Sequence, residues 1–161
     1  MVRIASFNVE NLFQRPKAFN TADWSLGQPA LEAYGEVNAL FSNQVYSTAD
    51  KLRMIDLLVA LDIYSVNSAG AVRRKLTQAP RWAWLRKNRR ALDCQPEDPA
   101  QSIEIIANSR NEWIGWVELA REPTNETSTR MTARVIQEVG ADIIAIVEAE
   151  DRPSLVRFNH D

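Results

Sequence analysis

An asparagine and a glutamate each follow an apolar segment, one near each end of the chain. Asn8 closes the segment formed by residues 3–7, and Glu148 directly follows the apolar run of residues 143–147. Both segments have the composition of buried strands, and ligands in sheet-and-helix folds gather beyond the carboxyl ends of such strands. Asn8 and Glu148 are therefore predicted to share one site.

The two side chains suit a site for a divalent cation and a phosphate. A carboxylate at the end of a buried strand is costly unless it is paired or binds a cation, and glutamate is a hard oxygen ligand of the kind that Mg²⁺ or Mn²⁺ prefers. The side chain of Asn8 is able to donate to a phosphate oxygen or to orient a water molecule. For Glu148 alone, a solvated strand end remains the other interpretation.

Two sequence motifs give these residues a family context. Residues 7–12, Phe-Asn-Val-Glu-Asn-Leu, resemble the opening motif of the endonuclease/exonuclease/phosphatase superfamily. Residues 141–148, Ala-Asp-Ile-Ile-Ala-Ile-Val-Glu, resemble its second motif, a strand that ends in a metal-binding glutamate. The motifs stand in the family's order, and residues 151–155 continue a pattern that follows this glutamate in some bacterial members.

The resemblance implies an α/β fold, a four-layer α/β sandwich in which two mainly antiparallel sheets pack together with helices outside. It implies metal-assisted hydrolysis of a phosphodiester or phosphomonoester, and a basic segment between the two motifs favours a nuclease-like phosphodiesterase over a sugar or lipid phosphatase. Glu148 would be a ligand of the cation, Mg²⁺ or Mn²⁺, and Asn8 would lie beside the metal and the phosphate. Glu10 and Asn11 belong to the first motif and are the candidates for substrate contacts at its edge.

The chain also departs from the family. The family's later Asp-x-Asn and Ser-Asp-His motifs do not occur in these residues, and the only histidine is His160, which is predicted to be solvent-exposed. Residues 1–161 are therefore expected to be the N-terminal portion of a single domain, with little activity alone. A sandwich without its second half would expose an apolar face and unpaired strand edges, so self-association is also expected.

A basic segment, residues 73–90, lies between the two motifs and contains Trp82 and Trp84. Cations with interleaved tryptophans suit nucleic acid, and Arg81 and Arg86 are the candidates for substrate binding. The segment also supports an alternative function, a non-catalytic module that binds a polyanion or a protein partner. A solvated face whose tryptophans pack against neighbouring strands explains the same residues, and Trp113 and Trp116 are predicted to be core residues.

Periodicity predicts the elements that hold these residues. A strand is predicted over residues 2–7, a helix over 49–63 with a capping box at Ser47 and Asp50, and a helix that ends before Gly140. A helix is also predicted from residue 151. Residues 14–46 and 64–72 are predicted to be loops, and residues 103–107 and 113–119 are predicted to pair as a hairpin.

Composition limits the classes of partner. A net charge of -2 provides no global basic field that would indicate nucleic acid. No apolar run reaches the roughly 20 residues of a membrane span, and strand-like sequence follows Met1 without a secretory signal. The single cysteine, Cys94, excludes an intrachain disulfide, which is compatible with a reducing compartment. From these features together, a cytoplasmic protein without a membrane partner is expected.

Overall fold

The computed structural model describes residues 2–9, 14–75, 82–124, 126–149 and 152–158. The strands in these ranges are β1 (Ile4–Asn8), β2 (Gln14–Pro16), β3 (Tyr64–Val66), β4 (Val72–Arg74), β5 (Ala83–Arg89), β6 (Asp93–Cys94), β7 (Glu104–Ile105), β8 (Ile114–Leu119), β9 (Arg121–Pro123) and β10 (Ile143–Val147). The α-helices are α1 (Trp24–Phe41), α2 (Thr48–Ala60), α3 (Glu126–Val139) and α4 (Arg152–Phe158), and a 3₁₀ helix spans Lys17–Phe19. The predicted mixed α/β class is confirmed.

The strands form two-stranded sheets within the described ranges. The pairs are β1 with β10, β2 with β9, β3 with β4, β5 with β8, and β6 with β7. The chain divides into two compact units, residues 1–15 with 121–161, and residues 16–120. No helix in the described part of the chain has the length and apolar character needed to cross a membrane.

The first unit is built on the parallel pair of β1 and β10, which aligns Ile4 with Ile143 and Asn8 with Val147. The predicted strands near both ends of the chain are therefore confirmed. Helix α3 is also confirmed, and it ends where Gly140 adopts a φ of 59°, the left-handed conformation that glycine accepts without strain.

One face of this strand pair is apolar and exposed. Ile4 is 75% exposed, and Ile143 and Val147 on the same face are exposed as well. Strand β10 is therefore not covered on both faces by described residues, although its uninterrupted apolar run is typical of a fully buried strand. The predicted self-association stays a prediction.

The second unit contains the long helix α1, and the prediction of a loop over residues 14–46 is wrong. The buried positions of α1 recur at helical spacing, but they are Gly27, Ala30, Ala33, Val37 and Phe41. Glycine and alanine make a weak apolar signal, so a pattern that depends on large side chains misses this helix.

Helix α1 also tolerates a proline inside it. Pro29 has no N–H to donate to the Ser25 carbonyl, so that carbonyl lacks its helical hydrogen bond. Both residues are exposed, so water can satisfy the carbonyl. Asp23 caps the helix by accepting a hydrogen bond from the Ser25 amide at 2.9 Å. This hydrogen bond lowers the pKa of the Asp23 carboxyl below its usual value.

Helix α2 confirms the predicted capping box. The Ser47 hydroxyl accepts from the Asp50 amide at 3.1 Å, and the Asp50 carboxylate accepts from the Ser47 amide at 2.9 Å. The helix ends at Ala60, earlier than predicted, because Asp62 turns the chain at a φ of 62°.

The predicted strand pairing differs from the observed pairing. Residues 64–72 are not a loop, because β3 and β4 form an antiparallel hairpin. Residues 103–107 and 113–119 do not pair with each other. Strand β8 pairs with β5, and β7 pairs with β6. Local sequence does not distinguish these partners, since each strand is compatible with several registers until its buried face is known.

A tryptophan anchors the core of this unit. Trp113 is 1% exposed, and its ring meets Phe41 edge-on at 4.8 Å between centroids. Its indole N–H donates to the Tyr46 hydroxyl at 3.0 Å, and that hydroxyl donates to the Phe41 carbonyl at 2.8 Å. The buried polar atoms of both aromatic side chains are thereby satisfied.

A buried carboxylate lies beside this core. Asp93 is the one charged residue among the buried residues of the described ranges, at 7% exposed. Its two carboxylate oxygens accept from the Tyr64 hydroxyl and from the Arg74 guanidinium. Burial, and then the negative charge of Asp93, raise the pKa of Tyr64 above its usual value.

The raised pKa of Tyr64 predicts a loss of stability in alkali. The folded state holds the phenol proton of Tyr64 more tightly than the unfolded state does. The protonated phenol therefore makes its full contribution to the free energy of unfolding below about pH 10, its pKa in the unfolded chain. This contribution is lost as pH rises above that value. Urea denaturation from pH 8 to 11 should show a falling free energy of unfolding, with a smaller slope in Tyr64→Phe. Tyr34→Phe is the control, because no hydrogen bond of its hydroxyl is seen within the described ranges. Equal slopes in wild type and Tyr64→Phe would contradict this.

Candidate functional site

The parallel register brings Asn8 and Glu148 to the same end of the strand pair. Asn8 is aligned with Val147, and the Val9 amide donates to the Val147 carbonyl at 3.0 Å. Neighbouring strands lie about 4.8 Å apart, so Asn8 and Glu148 flank one inter-strand hydrogen bond. Both residues are exposed, so a ligand has access to them.

Both strands run toward this end because they are parallel. Arg3 and Asp142 fix the opposite end, where the Arg3 amide donates to the Asp142 carboxylate at 2.7 Å and the Asp142 amide donates to the Arg3 carbonyl at 2.9 Å. These hydrogen bonds set the register at the start of both strands. The positions of Asn8 and Glu148 follow from that register.

Glu148 has an uncommon backbone conformation. Its φ is 59°, in the left-handed region that is rare for residues other than glycine, asparagine and aspartate. The other described residues of this kind outside glycine are Asp62 and Arg90. A glutamate held there carries backbone strain that a glycine would avoid, and such strain clusters at functional sites.

The two side chains supply hard oxygen donors. A carboxylate and an amide oxygen fit Mg²⁺, which typically binds one or two carboxylates, several waters and substrate phosphates. Within the described ranges, no group of three or more histidine, cysteine, aspartate or glutamate side chains is arranged to hold a metal ion. Asn8 and Glu148 are the described residues that were predicted from the sequence to hold the cation, and this role stays a prediction.

Of the other predicted site residues, the structure describes Arg86 alone. Glu10, Asn11 and Arg81, like His160, lie outside the described residues. Arg86 lies in β5, in the second unit, where its Nε donates to Glu118 at 2.6 Å. Its guanidinium also lies 5.4 Å from the centroid of the Trp84 ring. Its role in substrate binding stays a prediction.

Contacts within the second unit occupy most cations of the basic segment that the structure describes. Arg73 donates to the backbone carbonyls of Pro96, Asp98 and Gln101. Lys75 binds both carboxylate oxygens of Asp62 at 2.6 Å. These cations hold loops and turns in place, which favours the interpretation of the segment as a structural face.

The tryptophans of this unit differ in exposure. Trp113 is a core residue, as predicted, whereas the prediction for Trp116 is wrong because its side chain is 47% exposed. Trp116 lies on the face of β8 where Ile114 is also exposed. Strand alternation places Gly115 and Val117 on the opposite, buried face.

Sequence reasoning did not single out Asp93. An acidic residue between Leu92 and Cys94 carries no motif, and the residues that surround it come from β3 and β4. The one available signal was an aspartate inside a short apolar stretch.

No family model matches this chain, and comparisons with curated proteins and with solved structures likewise found no match.

Proposed function

We propose that this chain carries half of the metal site of a divalent-cation-dependent phosphoesterase, of the nuclease-like phosphodiester-hydrolysing type. The observation that carries the proposal is the parallel register that brings Asn8 and Glu148 to the same end of β1 and β10, with Glu148 in a left-handed backbone conformation. A strained glutamate and an asparagine at the carboxyl ends of two paired parallel strands have the placement expected of ligand-binding residues.

The residues have distinct roles in this proposal. The carboxylate of Glu148 holds Mg²⁺ or Mn²⁺, and the amide of Asn8 donates to a phosphate oxygen of the substrate. The bound cation supplies charge neutralisation at the phosphoryl oxygens. The backbone hydrogen bond from Val9 to Val147 joins the two strands at the backbone positions next to Asn8 and Glu148.

The fold expected with this function is the four-layer α/β sandwich of the superfamily that the motifs resemble. The exposed apolar face of β1 and β10 supports this expectation, because a second layer would cover it. The intramolecular contacts of Arg73 and Lys75 give the polyanion-binding module less support than the phosphoesterase.

Metal binding tests the proposal without requiring activity. Mn²⁺ added to the ¹⁵N-labelled chain should broaden the amide signals at the ends of β1 and β10. Glu148→Gln should weaken this effect about tenfold, because the substitution removes the charged ligand. Glu138→Gln is the matched control, since Glu138 is an exposed carboxylate of the same unit that forms an ion pair with Arg134. Broadening that Glu148→Gln leaves unchanged would contradict the proposed site.

Two further measurements separate function from stability. Glu148→Gly should lose Mn²⁺ binding while keeping or raising the free energy of unfolding, by up to about 1 kcal/mol, because glycine relieves the left-handed strain.

The wild-type chain should hydrolyse bis(p-nitrophenyl) phosphate no faster than Glu148→Gln does. Magnesium-dependent turnover that Glu148→Gln abolishes would show that these residues suffice for catalysis.

A further inference from the structure

A cavity of about 280 Å³ opens in the second unit, between β5 and the turns on either side of it. It is far from either sequence motif along the chain, and no part of the proposed metal site belongs to it. Residues of β4, β5 and the turn after α2 contribute to its wall, and residues 91–93 close one side. Two described residues with positive φ outside glycine, Asp62 and Arg90, lie in or next to this wall.

The floor of the cavity is apolar. It is formed by Ile63, Ala83, Leu85, Leu92 and Trp113. Leu92 and Trp113 are almost completely buried, so the floor is part of the close-packed core and keeps its shape. A preformed apolar floor favours a ligand with a rigid hydrocarbon body.

The rim of the cavity is charged. Its cations are Arg74, Lys75 and Lys87, and the anions of the cavity lining are Asp62 and the buried Asp93. Lys75 is neutralised by Asp62, and Arg74 is neutralised by Asp93. Among the lining residues that the structure describes, one positive charge therefore has no carboxylate partner at the cavity.

That charge belongs to Lys87. Within the part of the chain that the structure describes, Lys87 forms neither an ion pair nor a side-chain hydrogen bond, and it is exposed. Arg74 lines the cavity and binds Asp93 through one Nη, and its side chain is 49% exposed, so a ligand has access to its guanidinium. A guanidinium fork and an ammonium group together suit a carboxylate.

We propose that this cavity binds a small organic carboxylate with an aromatic body. The ring would lie on the apolar floor, and the carboxylate would accept hydrogen bonds from Lys87 and Arg74. A single uncompensated charge fits a monoanion better than a polyphosphate. The volume lies near the lower end of the range for small-molecule sites, so the ligand has about the size of a two-ring acid.

Titration calorimetry with 2-naphthoate tests this proposal on the full chain, with the neutral 2-naphthamide as the comparison ligand. Wild type should bind the acid about tenfold more tightly than the amide, the size of effect expected for a charge-assisted contact. Lys87→Gln should remove that preference. Arg89→Gln is the matched control, because Arg89 is an exposed cation of the same strand that does not line the cavity. It should bind like wild type.

A second variant locates the ligand. Ala91→Phe should fill the cavity from its side wall and reduce binding of both ligands, whereas Lys87→Gln changes only an exposed side chain and keeps the fold. Thermal melts of each variant confirm folding before titration. The proposal is overturned if wild type binds neither ligand, if acid and amide bind equally, or if Lys87→Gln and Arg89→Gln behave alike. None of these outcomes depends on the metal site, so the two proposals fail separately.

Discussion

Replacing Asp93 by alanine is expected to lower the free energy of unfolding by about 2–4 kcal/mol. The substitution leaves the Tyr64 hydroxyl, in a side chain that is 1% exposed, without its acceptor. It also removes the carboxylate that neutralises Arg74. Because half of the Arg74 side chain is exposed, water compensates part of that second loss, which keeps the cost below that of a fully buried pair.

Chemical denaturation of three variants checks this expectation. Asp93→Asn keeps the shape and one acceptor oxygen, so it should lose less stability than Asp93→Ala. Glu97→Ala removes a nearby carboxylate that is exposed, and it should change stability by less than about 0.5 kcal/mol. A similarly small change in Asp93→Ala would show that the buried carboxylate contributes no net stabilisation.

Alanine should have opposite effects at two glycines of helix α1. At Gly27, an added Cβ would lie 1.9 Å from the Ala18 carbonyl oxygen, so the 3₁₀ helix must move away from α1. Overpacking against backbone costs about 1–3 kcal/mol or more. At Gly35, nothing lies within 4 Å of an added Cβ, and alanine should gain about 0.5–1 kcal/mol through its higher helix propensity.

The pair controls for helix propensity, because both substitutions are the same and lie in the same helix. Thermal and urea denaturation should place Gly27→Ala below wild type and Gly35→Ala above it. If both variants were stabilised, the contact between Gly27 and Ala18 would be loose. If both were destabilised, a cause other than the contact with Ala18 would make alanine unfavourable in α1.

Local sequence was sufficient for elements whose signals lie within a few residues. The capping box of α2 needs only Ser47 and Asp50, and the end of α3 needs only Gly140. The apolar run of β10 identifies a strand without reference to its partner. The motifs likewise identified Asn8 and Glu148 as the candidate pair, because each residue follows a predicted strand and ligands gather beyond the carboxyl ends of strands.

Tertiary structure decided the features that depend on distant partners. Helix α1 buries glycine and alanine against the 3₁₀ helix. Its two glycines and one proline are typical of loops when only the local sequence is considered. The pairing of β5 with β8 and the burial of Asp93 between Tyr64 and Arg74 also join residues far apart in sequence. Helix capping depends on residues within one segment, and hydrophobic periodicity is visible within that segment as well. Close packing, strand pairing and the environment of a buried charge depend on a second segment that is distant in sequence, so they are defined only in the folded chain.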